Sequence, residues 1–173
     1  NTIMGSMGNV RFNSGFVWNP HDAGVKEMRL IDEIVVHCTA TNPKWYADRS
    51  ADEVVAEIRR WHTEERGWSD IGYHAVIHRN GDVAYGRPDW KKGAHVAGYN
   101  STTIGIALVG GRGGTADEAI RQNYTAQQEE ALIKLIDQYK EKYPSITKIS
   151  GHNTYASKAC PCFSVEGWAA IVG

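Results

Sequence analysis

No apolar run in this 173-residue chain is long enough to cross a bilayer. Neither charge dominates: nineteen Lys and Arg stand against twenty Asp and Glu, a formal net charge of -1. That balance argues against a nucleic-acid protein, which usually carries a basic patch. Cysteine is scarce and odd in number, three in all. A small disulfide scaffold wants more and an even count, so a reduced chain with one metal thiolate fits better. No internal repeat or low-complexity tract divides the chain. No charged start followed by an apolar stretch marks a secretory leader, an absence that excludes little because leaders are removed. What remains is the composition of one ordinary globular domain, 42% hydrophobic and 23% charged, long enough to bury a proper core.

The first thirty residues lack a clear period. Gly5-Ser6-Met7 looks like a cloning remnant, and Asn19-Pro20-His21-Asp22 reads as a turn with a surface histidine. Glu33 to Cys38 then reads as a buried strand, compact and β-branched. Adjacent strand residues face opposite sides, so if His37 points at a site, Cys38 points into the core. Ser50 and Glu53 form a capping box opening a helix that should run to about Arg66 and stop at Gly67. Val54, Ile58 and Trp61 line its packed face, and His62 beside them reads as a core or boundary histidine. Gly72 to His78 reads as a strand, Asn80-Gly81 as a hairpin turn and Asp82 to Gly86 as the returning partner. Thr103 to Val109 is a further buried strand. Gly110 to Gly114 lacks the Gly-Lys-Ser/Thr ending of a phosphate loop and reads as a flexible connection. Thr125 and Gln128 form a second capping box for a helix that Pro144 ends. A short strand, Thr147 to Ser150, leads to His152, and Ser164 caps a last helix. The pattern predicts an α/β (α+β) fold: a single domain with a central mixed β-sheet flanked by about three helices.

The chemistry concentrates in Gly151 to Phe163, which holds His152, Lys158, Cys160 and Cys162 in one loop. Imidazole and thiolate are ligands that zinc prefers, and a catalytic zinc needs three protein ligands with one position left open. His37, His152 and one of the two loop cysteines form such a set, and spacing alone does not rank Cys160 above Cys162. Lys158 would then stand ready as a cation for an oxyanion, with Tyr73 as a possible second donor. The competing readings are a solvated loop lysine and a core tyrosine.

Several motifs, taken together, resemble one family. They are His37-Cys38-Thr39-Ala40-Thr41, Ile58-Arg59-Arg60-Trp61-His62, Asp70-Ile71-Gly72-Tyr73-His74, Gly93-Ala94-His95 with Gly98-Tyr99-Asn100, Ile104-Gly105-Ile106, and His152 through Lys158-Ala159-Cys160-Pro161. In this order, from about Ile31 to the C-terminus, they resemble the zinc N-acetylmuramoyl-L-alanine amidases, a group that includes amidase-type phage lysozymes and peptidoglycan recognition proteins. The resemblance implies hydrolysis of the amide joining N-acetylmuramic acid to L-alanine, by a phage endolysin or a bacterial cell-wall lytic enzyme. It implies one zinc ion per chain on His37, His152 and Cys160, which breaks the tie with Cys162. It implies catalytic roles for Tyr73 and Lys158 and a groove-lining substrate contact at His95. It implies an amidase domain over residues 31–173 behind an N-terminal extension of residues 1–30. The expected partner is peptidoglycan, with no nucleic acid, no membrane insertion and a monomeric state. The place of action is the cell wall, reached from the cytoplasm on release if phage-encoded, or by export behind a removed leader if bacterial. The alternative is a non-catalytic peptidoglycan-binding or protein-docking module of the same fold. Non-catalytic members usually lack the cysteine ligand, so its presence here favours an enzyme.

Overall fold

The computed structural model describes residues 29–173 and two short strands before them, β1 (Val10–Arg11) and β2 (Val17–Trp18), which pair antiparallel. The expected cloning remnant and the turn at 19–22 lie outside the described residues. The main sheet has five strands: β3 (Glu33–Cys38), β4 (Ala75–Ile77), β5 (Val83–Tyr85), β6 (Thr103–Leu108) and β7 (Lys148–Gly151). Their order is β5-β4-β6-β3-β7, with only the β4–β5 hairpin antiparallel. The sheet is mixed, as the alternating pattern predicts. Every residue of β3 and β6 is buried, the signature of central strands covered on both faces.

Three helices do the covering. The first, α1 (Ala51–Arg60), starts at the Ser50–Glu53 capping box, in which each residue accepts from the other's backbone N–H at 3.1 Å. It packs Val54, Val55 and Ile58 against Val76, Ala107 and Val109 on one face of the sheet. A single turn, α2 (Ile120–Asn123), precedes α3 (Ala126–Lys142), which Thr125 and Gln128 cap in the same way. Leu132, Leu135, Ile136 and Tyr139 of α3 cover the opposite face, where Cys38, Ile106 and Leu108 point. One more turn, α4 (His152–Tyr155), follows β7 directly, and α5 (Val165–Val172) adds Val165 and Trp168 to the α3 side.

Three details depart from the sequence reading. The helix expected to run to Arg66 is α-helical only to Arg60; Trp61–Glu65 is a π-helical turn, closed by Arg66 N–H donating to the Trp61 carbonyl, before Gly67 at φ +73 ends it. The strand expected over residues 72–78 is regular only from 75 to 77, although the Gly86 and Arg87 N–H groups still donate to the His74 and Tyr73 carbonyls. The Gly105 N–H is taken by the His74 ring at 3.0 Å, so the ladder with β6 stops short of Tyr73. His152 opens a helical turn where a loop was expected.

Candidate metal centre and cleft

β3 and β7 run parallel with Val36 opposite Gly151, so the residues that follow, His37 and His152, emerge side by side. Their rings lie 4.6 Å apart. The third member arrives eight residues later, because Asn153 ties the loop back on itself by donating to the Ala159 and Phe163 carbonyls. The Cys38 backbone N–H then donates to Cys160 Sγ at 3.1 Å. One donor atom each from His37, His152 and Cys160 lie within 4.8 Å of one another. Cys162 is turned away: its Sγ meets the Gly111 carbonyl at 3.3 Å and it is 2% exposed.

The hydrogen bonds around this cluster suit a cation. His37 Nε2 is 2.8 Å from His95 Nδ1, His95 Nε2 is 3.1 Å from Thr103 Oγ1, and Thr103 donates onward to the Tyr99 carbonyl at 2.8 Å. Since the final acceptor is a carbonyl, all three groups are satisfied when protons run one way along the chain, from His37 Nε2–H outward. That leaves Nδ1 of His37 as a free lone pair. A ring nitrogen fixed by a second partner and a sulfur receiving a backbone N–H are the outer bonds that orient metal ligands. Burial, with His152 and Lys158 nearby, holds His37 well below the ordinary histidine pKa; burial and Lys158 lower His152 as well. Both imidazoles are therefore neutral and able to ligate at neutral pH.

The cluster sits at one wall of a cleft of about 240 Å³ that Tyr73, His62, Arg66, Trp68 and Lys158 also line. The Tyr73 ring is 5.3 Å from that of His37, and burial pushes its phenol well above the usual range, so it stays a donor. Lys158 is exposed at the rim. His95 is only 8% exposed and sits beneath His37 against Gly105, whose missing side chain makes the room: a Cβ there would fall 2.5 Å from the His95 ring. His62 was read as a core or boundary histidine, and its burial agrees. It is buried, accepts the Gly72 N–H on Nδ1 at 2.9 Å and still faces the cleft beyond Tyr73. The available signal was the pair His62 and Arg66, one turn apart and so on one helix face, ahead of Gly67-Trp68.

A mixed sheet with two imidazoles and a thiol gathered at the ends of its parallel strands, beside a phenol and an ammonium, has the groups of a hydrolase site that could hold a metal. The family model for N-acetylmuramoyl-L-alanine amidase matches residues 27–163, and the chain belongs to that family. The endolysin of Enterobacteria phage K11 is 40% identical over 136 residues, 79% of this chain and 83% of its own. That of Escherichia phage T7 is 39% identical over 145 residues, 83% and 88% of the two chains. Among solved structures, the endolysin amidase LysCS from Clostridium intestinale shares 30% identity with a TM-score of 0.62, covering 82% of this chain and 83% of its own. Drosophila PGRP-LB, at 24% identity and a TM-score of 0.67 over 84% and 82%, shares the fold. The chain is thus an amidase that hydrolyses peptidoglycan, and the non-catalytic module of the same fold is not favoured. The family is zinc-dependent in general, and the His37, His152 and Cys160 cluster is a possible metal site. Among the described residues no helix is long and apolar enough to cross a membrane.

Proposed function

We propose that this amidase cuts the bond between N-acetylmuramic acid and L-alanine with one zinc ion held by His37, His152 and Cys160. The observation that carries the reading is the convergence of three ligand atoms within 4.8 Å from residues up to 123 positions apart. When bound, zinc supplies a Lewis acid that makes hydroxide available at neutral pH and polarises the amide carbonyl. His95 holds the His37 proton on Nε2, and the Cys38 N–H stabilises the Cys160 thiolate. Tyr73 and Lys158 present an O–H and an ammonium to the cleft. There they stabilise the negative charge that builds on the carbonyl oxygen as water adds. No Asp or Glu is among the described residues lining the cleft, so the departing amine takes the proton that the attacking water gives up.

Residues 31–173 form the amidase domain behind the extension of residues 1–30, and the enzyme acts as a monomer on the cell wall. It reaches the wall from the cytoplasm on release, or by export behind a removed leader. The test pairs metal analysis with clearing of purified cell walls. One zinc per chain is expected, with clearing lost on chelation and restored by zinc. Tyr73→Phe and Lys158→Ala should keep the metal and lose roughly 10²-fold in kcat. Wall clearing by zinc-free protein would refute the metal reading, and full turnover in either variant would remove that residue from the mechanism.

A further inference from the structure

Behind the metal cluster stands a pair of tyrosines that neither core absorbs. Tyr99 and Tyr155 have ring centroids 4.1 Å apart at an interplanar angle of 31°. Tyr99 is a large apolar surface left 45% exposed. Both are tied to the centre. Tyr155 follows His152 by three residues on α4, so the two share a helix face. The Tyr99 carbonyl ends the hydrogen-bond chain that starts at His37. Tyr155 is also pinned from below, donating to Glu33 Oε2 at 2.6 Å and accepting from Lys148 Nζ at 2.9 Å. A rigid, exposed aromatic face is thereby fixed relative to the point of cleavage.

The cleft itself, which neither tyrosine lines, has another character. There the Arg66 guanidinium lies 5.2 Å over the Trp68 ring. The substrate has two arms that meet at the scissile amide, an acidic peptide and an uncharged glycan. The cationic end suits the carboxylates of the peptide. The tyrosine face outside the cleft, reached past His152, suits a sugar, whose C–H-rich ring face lies against aromatic faces while its hydroxyls reach the Tyr99 phenol and Lys148. Resting on the amidase reading, we propose that Tyr99 and Tyr155 form a platform for the glycan ring adjoining the reacting muramoyl residue. Because the platform is remote from the reacting atoms, its contacts are made equally in ground and transition states and appear in KM.

Two substrates separate this role from a structural one: a muramoyl peptide with a single sugar, and the same peptide on a tetrasaccharide. Tyr99→Ala should raise KM on the tetrasaccharide about tenfold, equivalent to ~1.4 kcal/mol, and leave the single-sugar substrate within about twofold. Tyr155→Phe keeps the ring but releases it from Glu33 and Lys148, so it should raise KM on the tetrasaccharide by less than Tyr99→Ala does and leave the single-sugar substrate within about twofold. Equal losses on the two substrates in Tyr99→Ala would make the pair a strut between the loop and α4 and overturn the proposal, as would no loss on either. Wild-type zinc protein that cleaves neither substrate would instead overturn the amidase reading beneath it.

Discussion

His37 has two ring nitrogens and only one is free. His95 occupies Nε2 and is itself held by Thr103, so the His37 tautomer is set from outside the cluster. Outer partners of this kind are typically worth 10–100-fold in metal affinity. His95→Ala should therefore weaken zinc binding by about that factor, measured by competition with a chelator. His95→Asn, whose carbonyl can replace Nδ1 as acceptor, should recover part of it, and unchanged affinity in both would show that the relay does not orient the ligand. The two loop cysteines divide as cleanly. Cys160→Ser should lose zinc and wall clearing together, while Cys162→Ser, whose sulfur lies against Gly111, should keep both. The reverse pattern would exchange their roles. Physics applied to spacing could not rank them, because the loop's path depends on Asn153 bonding to two carbonyls.

At the scale of the element, β6 is a strand with a gap in it. Gly105 leaves room for His95, and its N–H is spent on the His74 ring. Gly105→Ala would push a methyl group into that ring. The expected result is a loss of about 1–3 kcal/mol in stability, as for other overpacked sites, with zinc affinity falling as in His95→Ala. Denaturation and chelator competition would check the two effects, and a neutral result would mean that His95 is not seated on the strand. This position also marks where sequence legibility ends. β3, β6, the Asn80-Gly81 hairpin and both capping boxes were readable because each signal is local: branched runs, a turn dipeptide, a residue and its third neighbour. The shortened β4 was not readable, since it depends on a ring 31 residues from the amide it captures. The π-helical turn after Arg60 was not readable either, since nothing local in Trp61–Glu65 marks it. His95 is among the residues lining the cleft; its bonds to His37 and Thr103 were not readable, because only the fold brings 95 to 37 and 103 at once.

For the molecule as a whole, burying so many neutral histidines makes folding sensitive to acid. Burial lowers the pKa of His37, His62, His74, His95 and His152, and in His62 and His74 it falls from 6.5 to about 4. His74 shows why. It is 1% exposed, its Nδ1 accepts the Gly105 N–H and its Nε2 donates to the Lys91 carbonyl, so a second proton would break a bond in a dry site beside Arg29. The folded chain thus resists protonation that the unfolded chain accepts. As pH falls through 6.5 the unfolded state binds protons first, and stability drops until the folded rings titrate near 4. For His74 alone the loss is on the order of 3 kcal/mol, a large part of the roughly 5–15 kcal/mol that holds a domain folded. Stability of the zinc-free protein in urea should fall steeply between roughly pH 6.5 and 4.5. Zinc should steepen the fall, because its ligands must stay unprotonated. A profile level down to pH 4.5 would mean that these rings are not held neutral in the folded state, and that the cluster lacks the lone pairs a metal requires.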